Sequence, residues 1–235
     1  MEYISKQSDN ITVEFIDGDE RYADITLRSL KRGLKKHLEY FGLEDIGDIW
    51  AILVPTRKEY EHFVINRLGV NIEVPSNPAR IAQPQRREMV FLSPSAYKEH
   101  STFNYNENDY KRLVVHELTH VFEEYLSPDI EATPGWWGEG LAVYLSGQWK
   151  HEEAYYRPVN EGIKNNEIPS FEDIKENYKF WYDWAWTIIM FIEESFGREM
   201  INWIVRECAD DNPLIFTGLS ESELEEEWRG RLQAG

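Results

Sequence analysis

The chain begins with a short alternation. Residues 11–16, Ile-Thr-Val-Glu-Phe-Ile, put an apolar side chain at every second position and predict a strand closed by Asp17-Gly18. The period then changes: Ala23, Leu27, Leu30, Leu34, Leu38 and Phe41 recur at spacings of three and four, which predicts a helix over 20–41 with Gly42 as its stop. Residues 49–54, Ile-Trp-Ala-Ile-Leu-Val, are an unbroken apolar run and predict a buried strand, after which Pro55-Thr56 opens a helix to about Leu68. Residues 70–87 carry Pro75, Pro78 and Pro84 and read as irregular, and 89–93 predict a further strand closed by Pro94.

From about Asp109 the strand signals nearly vanish. Helical periods predict helices at 109–126, 139–148, 181–196, 198–209 and near 220–232, and Ser220-x-x-Glu223 resembles a capping box for the last. The pattern predicts an α+β chain read as a single domain over 1–235, with an α/β lobe at 1–105 and a helical lobe at 106–235.

Composition narrows this picture. At 235 residues and 42% hydrophobic, the chain is long and apolar enough to bury a core, and one Cys excludes a disulfide scaffold and any cysteine-only metal site. A net charge of -18 argues against nucleic acid or an anionic membrane surface as a partner. The charge is lopsided: residues 1–100 hold 16 acidic and 14 basic groups, whereas 101–235 hold 27 and 11. Most of those carboxylates form a solvated surface, but some belong elsewhere. No window approaches the roughly 18 apolar residues of a membrane span. The start, Met1-Glu2-Tyr3-Ile4-Ser5-Lys6, lacks a leader's apolar core. A full-length chain of this kind is expected in the cytoplasm; a secreted or surface domain is expected instead if a leader has been removed. Oligomeric state is not readable.

The first chemical motif lies in residues 113–122, Leu-Val-Val-His-Glu-Leu-Thr-His-Val-Phe, which contain His-Glu-x-x-His. On a helix His116 and His120, four apart, project from one face one turn from each other, so two imidazoles converge on one Zn²⁺. Glu117 stands beside them, where a carboxylate accepts a proton from water on the metal. Chance supplies only about 0.02 such matches in a chain of this composition. A catalytic zinc needs a third protein ligand. His37, His62, His100 and His151 sit in no companion motif and read as surface or loop histidines. Residues 134–147 offer a carboxylate instead: Glu139, flanked by Gly138 and Gly140 and preceded by Trp136-Trp137, is expected to open a helix and is poorly explained as a solubilising charge.

His-Glu-x-x-His followed nineteen residues after His120 by Glu139, inside Trp-x-x-Glu-Gly-x-Ala-x-Tyr from Trp136 to Tyr144, resembles the gluzincin metallopeptidases, and among them the small peptidase MA-like domain. Tyr182, Trp186, Thr187 and Gly197 resemble that family's Tyr-led helix, and Gly218-Leu219-Ser220 with Glu223-Leu224-Glu225 and Trp228 resembles its closing segment. The resemblance implies a small zincin-like fold with its zinc site between the two lobes, and one Zn²⁺ per chain held by His116, His120 and Glu139. It also implies Glu117 as general base, and peptide-bond hydrolysis on peptides or unfolded protein bound extended. The family often keeps a Tyr at the start of the helix that Tyr182 leads, and Tyr182 is the expected donor to the oxyanion, with Tyr155, Tyr156 and Tyr178 as competitors; Tyr144 is expected to pack.

Glu123, Glu124 and Asp183 are candidates to hold the far nitrogens of the ligand imidazoles. The strand at 89–93 is the expected edge for an extended substrate. Trp181, Trp184 and Trp186 have the spacing of core residues more than of a subsite. The Gly-x-Met-Glu-Asn segment of the aminopeptidase branch is absent, so that activity is not implied, and Gly138 before Glu139 fits the thermolysin-like branch no better. Two alternatives remain open: a zinc-binding domain of this fold with little or no peptidase activity, and a zinc hydrolase for another amide or an ester.

Overall fold

The computed structural model describes residues 2–208 and 212–234. The chain forms two compact units, Met1–Tyr125 and Leu126–Gly235.

The first unit contains β1 (Ile4–Ser8), β2 (Ile11–Phe15), α1 (Glu20–Phe41), β3 (Ile49–Val54), α2 (Arg57–Asn66), β4 (Ala82–Gln85), β5 (Glu88–Leu92), α3 (Tyr97–His100) and α4 (Glu107–Leu126). The five strands make one sheet in the order β1-β2-β3-β5-β4. β2, β3 and β5 run parallel, with α1 and α2 as the crossovers, and the outer strands β1 and β4 pair antiparallel. β3 is central and buried at every position but Trp50, which is why its sequence is an unbroken apolar run.

Two strands escape the hydrophobic pattern. β1 is mostly exposed, so it shows no apolar alternation. β4 reads Ala-Gln-Pro-Gln, and Pro84 is tolerated because an edge strand leaves one side of its ladder unpaired. The expected substrate edge at 89–93 is corrected by the same topology: β5 lies between β3 and β4, and β4 is the edge.

α1 ends as its sequence predicts, with Gly42 left-handed at φ 65° and its N–H on the Leu38 carbonyl. It packs on α4, and Gly33 permits the approach, since a Cβ there would stand 2.9 Å from Leu118 Cδ2. His37 and Phe41 of α1 meet the Phe122 ring, at centroid distances of 5.2 and 5.5 Å. His37 is thus a core residue, not the surface histidine its lone position suggests; Nδ1–H donates to the Gly33 carbonyl at 3.0 Å and Nε2 lies 2.8 Å from Thr119 Oγ1. This packing places α4 with the first unit, whereas the sequence border near residue 105 puts it with the helices that follow.

α2 also pins the irregular stretch before β4. Arg57 donates to the carbonyls of Pro78, Arg80 and His100, and buried Glu61 accepts from the Ser76 N–H and hydroxyl at 2.6 and 2.9 Å.

The second unit contains α5 (Gly135–Ser146), α6 (Gln148–His151), α7 (Glu153–Asn165), α8 (Phe171–Glu176), α9 (Tyr178–Asp183), α10 (Ala185–Phe196), α11 (Arg198–Glu207) and α12 (Glu221–Ala234), with no strand among its described residues. α5 and α10 are in close contact at Gly140, where a Cβ would stand 2.9 Å from the Ala185 carbonyl carbon. α5 begins at Gly135, so Glu139 sits in its second turn and does not open it. The helix expected over 181–196 is broken at Trp184, which separates α9 from α10. α7 and α8 have no counterpart in the sequence reading, α7 because Pro158 interrupts its pattern. The Ser220–Glu223 capping box forms, with Glu223 accepting from the Ser220 N–H at 2.9 Å. The last position of the helix expected at 198–209 lies outside the described residues. The architecture is α+β, a sheet-and-helix unit followed by a helical one.

Candidate metal centre

α4 brings its motif to one buried face. His116, Glu117, Leu118, Val121, Phe122 and Glu123 are all buried, and the i, i+4 spacing sets the His116 and His120 rings 5.0 Å apart between centroids. Their Nε2 atoms are 3.3 Å apart. Two ligands about 2.0–2.1 Å from one tetrahedral zinc ion stand ~3.3 Å from each other, so the nitrogens already have the separation that shared ligation requires. His116, His120 and Glu139 each offer a ligand atom, and these atoms lie within 4.8 Å of one another. Two imidazole nitrogens and one carboxylate oxygen suit zinc better than the hard cations, which take oxygen donors throughout. The donor set therefore fits a single zinc ion, with the residues expected from the sequence.

The far side of His120 is held by a buried carboxylate. Its Nδ1–H donates to Glu123 Oε2 at 3.4 Å, which leaves the Nε2 lone pair for a metal. Glu123 is 3% exposed, and its Oε1 finds no hydrogen-bond partner among the described residues. The two other candidates for this role are committed elsewhere. Glu124 accepts from Gln85 Nε2 at 2.7 Å and from the Arg86 N–H, tying β4 to α4 one turn beyond His120. The Asp183 carboxylate pairs with Lys179.

Glu117 is 7% exposed. Two phenols of the same unit feel its charge: burial raises the Tyr60 and Tyr97 hydroxyls well above the ordinary range, and the Glu117 carboxylate adds to both. Neither hydroxyl has a hydrogen-bond partner among the described residues. Sequence pattern marks Tyr60 and Tyr97 only as aromatic, and nothing short of the packing of α2 and α3 near α4 reveals their relation to Glu117.

Tyr182 lies on Glu139. Its hydroxyl is pushed far above the ordinary tyrosine value, first by burial and then by the negative charge of Glu139, to which it is hydrogen-bonded. It also shares a hydrogen bond with Tyr178 at 3.0 Å. The other candidates sort differently: Tyr155 accepts from Gln148 Nε2 at 3.0 Å, Tyr156 is exposed, and Tyr144 stacks on Trp149, itself stacked on Trp186. Trp184 and Trp186 are core residues, and Trp181 packs against Gly135.

No helix of the described residues is long and apolar enough to cross a membrane. Neither a protein-family model nor a curated protein matches the chain.

Proposed function

We propose that this protein is a zinc-dependent hydrolase of peptide bonds, of the gluzincin type. The observation that carries the reading is the cluster of three zinc-suited donors, His116, His120 and Glu139, with a buried carboxylate, Glu117, next to the first of them. A purely structural zinc site closes its fourth position with protein and has no use for a base. Three donors with an adjacent carboxylate are the open arrangement.

Bound zinc supplies Lewis acidity, which lowers the pKa of water and polarises a carbonyl. The remaining work falls to side chains. Glu117 accepts the proton of the attacking water and returns it to the leaving amine, as general base and then acid. Glu123 holds His120 in the tautomer that presents Nε2. Tyr182, a hydroxyl kept protonated by burial and by the Glu139 charge, is the donor to the oxyanion of the tetrahedral intermediate, and its one proton turns from the Glu139 carboxylate to do so. The substrate is an extended peptide that adds to the outer edge of β4, gaining backbone hydrogen bonds there.

The test is paired. Bound metal is measured on the purified chain, and a degenerate peptide library is assayed with the wild type and with Glu117→Gln. The expected result is one zinc per chain in both, with cleavage only by the wild type. Zinc in both with no cleavage by either would leave a zinc-binding domain; cleavage of esters or other amides but not peptides would reassign the substrate. Absence of zinc would end the reading.

A further inference from the structure

A cavity lined by three arginines lies on residues of the first unit outside the motif. We propose that the tip of the β4–β5 hairpin, with the end of α2, forms a binding pocket for a small oxyanion, a carboxylate or phosphate group.

The cavity is about 370 Å³, within the range of small-molecule sites, and Trp50, Arg67, Arg86, Arg87, Asp48 and Glu88 are among its lining. Three arginines converge on it in a chain of net charge -18. Two are held in place. Arg67 stacks on the Trp50 ring, 3.6 Å from its centroid, and forks onto Glu88 at 2.9 and 3.3 Å. Arg87 donates to the Ile46 carbonyl at 2.8 Å, passing over Gly47, where a Cβ would collide with its guanidinium. The third is different: the Arg86 guanidinium makes no hydrogen bond or ion pair among the described residues, although the Glu124 carboxylate fixes its backbone N–H.

The backbone at exposed Arg86 is unusual for its residue type. It sits in a two-residue hairpin turn with φ 55°, a left-handed conformation that Asn or Gly adopts at lower cost than Arg. A long cation at that position forgoes local stability and delivers an unpaired guanidinium to the cavity. Glu88 is paired with Arg67, which leaves Asp48 as the other carboxylate of the lining, while the Glu124 carboxylate is held by the Arg86 N–H and Gln85. Planar guanidinium donors of this kind pair with carboxylate and phosphate oxygens. Asp48 favours a ligand with a single anionic group over a polyanion.

This pocket stands on residues outside the metal centre, so it and the hydrolase reading fail separately. The test is titration of the full-length protein at constant ionic strength with inorganic phosphate in one arm and acetate in the other, chloride being the control. Binding is read by calorimetry and by the fluorescence of the tryptophans. Saturable binding of phosphate, acetate or both is expected at millimolar concentrations, and the stronger arm identifies the group. Arg86→Asn is expected to fold at least as stably, because Asn suits the left-handed turn, and to bind about tenfold more weakly. Arg157→Gln, on the exposed face of α7, is expected to leave binding unchanged. No saturable binding of either anion, or equal binding by wild type and Arg86→Asn, would overturn the proposal.

Discussion

Glu123 offers a prediction in which stability and metal affinity move in opposite directions. Its carboxylate is buried, touches His120 Nδ1 at 3.4 Å through one oxygen and has no hydrogen-bond partner for the other. Without metal this is a poorly satisfied buried charge, and such groups cost stability. With metal it becomes the counter-charge that orients His120 and increases its basicity. Outer partners of this kind change metal affinity by about 10–100-fold. The 3.4 Å contact is longer than the usual 2.7–3.2 Å, so the lower part of that range applies to Glu123→Gln, which keeps an acceptor and loses the charge. The expected loss is about tenfold in zinc affinity, roughly 1.4 kcal/mol. Glu123→Ala leaves Nδ1–H without its acceptor and should lose more, nearer one hundredfold. Zinc affinity is read by competition with a chromophoric chelator at fixed pH, and the stability of the metal-free protein by urea unfolding. Glu123→Gln should leave the metal-free protein at least as stable as wild type. A change in zinc affinity below twofold for both variants would refute the argument, as would a metal-free Glu123→Gln protein less stable than wild type.

Three further outcomes follow from the packing. Burial lowers the His37 pKa from 6.5 to about 4, so the unfolded chain binds a proton that the folded chain refuses; the stability associated with neutral His37 is complete above pH 6.5 and is lost as pH falls toward 4, by roughly 3 kcal/mol, and the difference in unfolding free energy between wild type and His37→Gln should show that slope in metal-free protein. Gly140→Ala should cost about 2 kcal/mol, because its Cβ would meet the Ala185 backbone at 2.9 Å, whereas Gly230→Ala, with nothing within 4 Å, should stabilise α12 by about 0.5–1 kcal/mol; thermal denaturation of the pair checks both signs. Arg57→Met removes the donor to three backbone carbonyls and should cost about 2 kcal/mol, with new protease sensitivity in residues 70–81 as the readout.

The features legible in the sequence are the local ones. The His116–Glu117–His120 spacing is a property of one helix, and four residues apart is one turn whatever surrounds it. The β2, α1, β3, α2 order and the Gly42 stop are equally local, carried by period and by a left-handed cap. Glu139 was legible as a candidate from its Trp and Gly neighbours, but only folding sets its oxygen within 4.8 Å of nitrogens from another helix. Tertiary structure alone decided the rest. β1 and β4 are strands because β2 and β5 offer them partners, not because their side chains alternate, and Pro84 survives because β4 has a free edge. His37 is buried because Gly33 lets α1 settle onto α4, and Tyr60 and Tyr97 feel Glu117 because α2 and α3 fold back near the motif helix. The contacts of His37, Tyr60 and Tyr97 join residues about twenty or more positions apart, and the two hairpins rest on backbone pairing; side-chain periodicity carries no record of either.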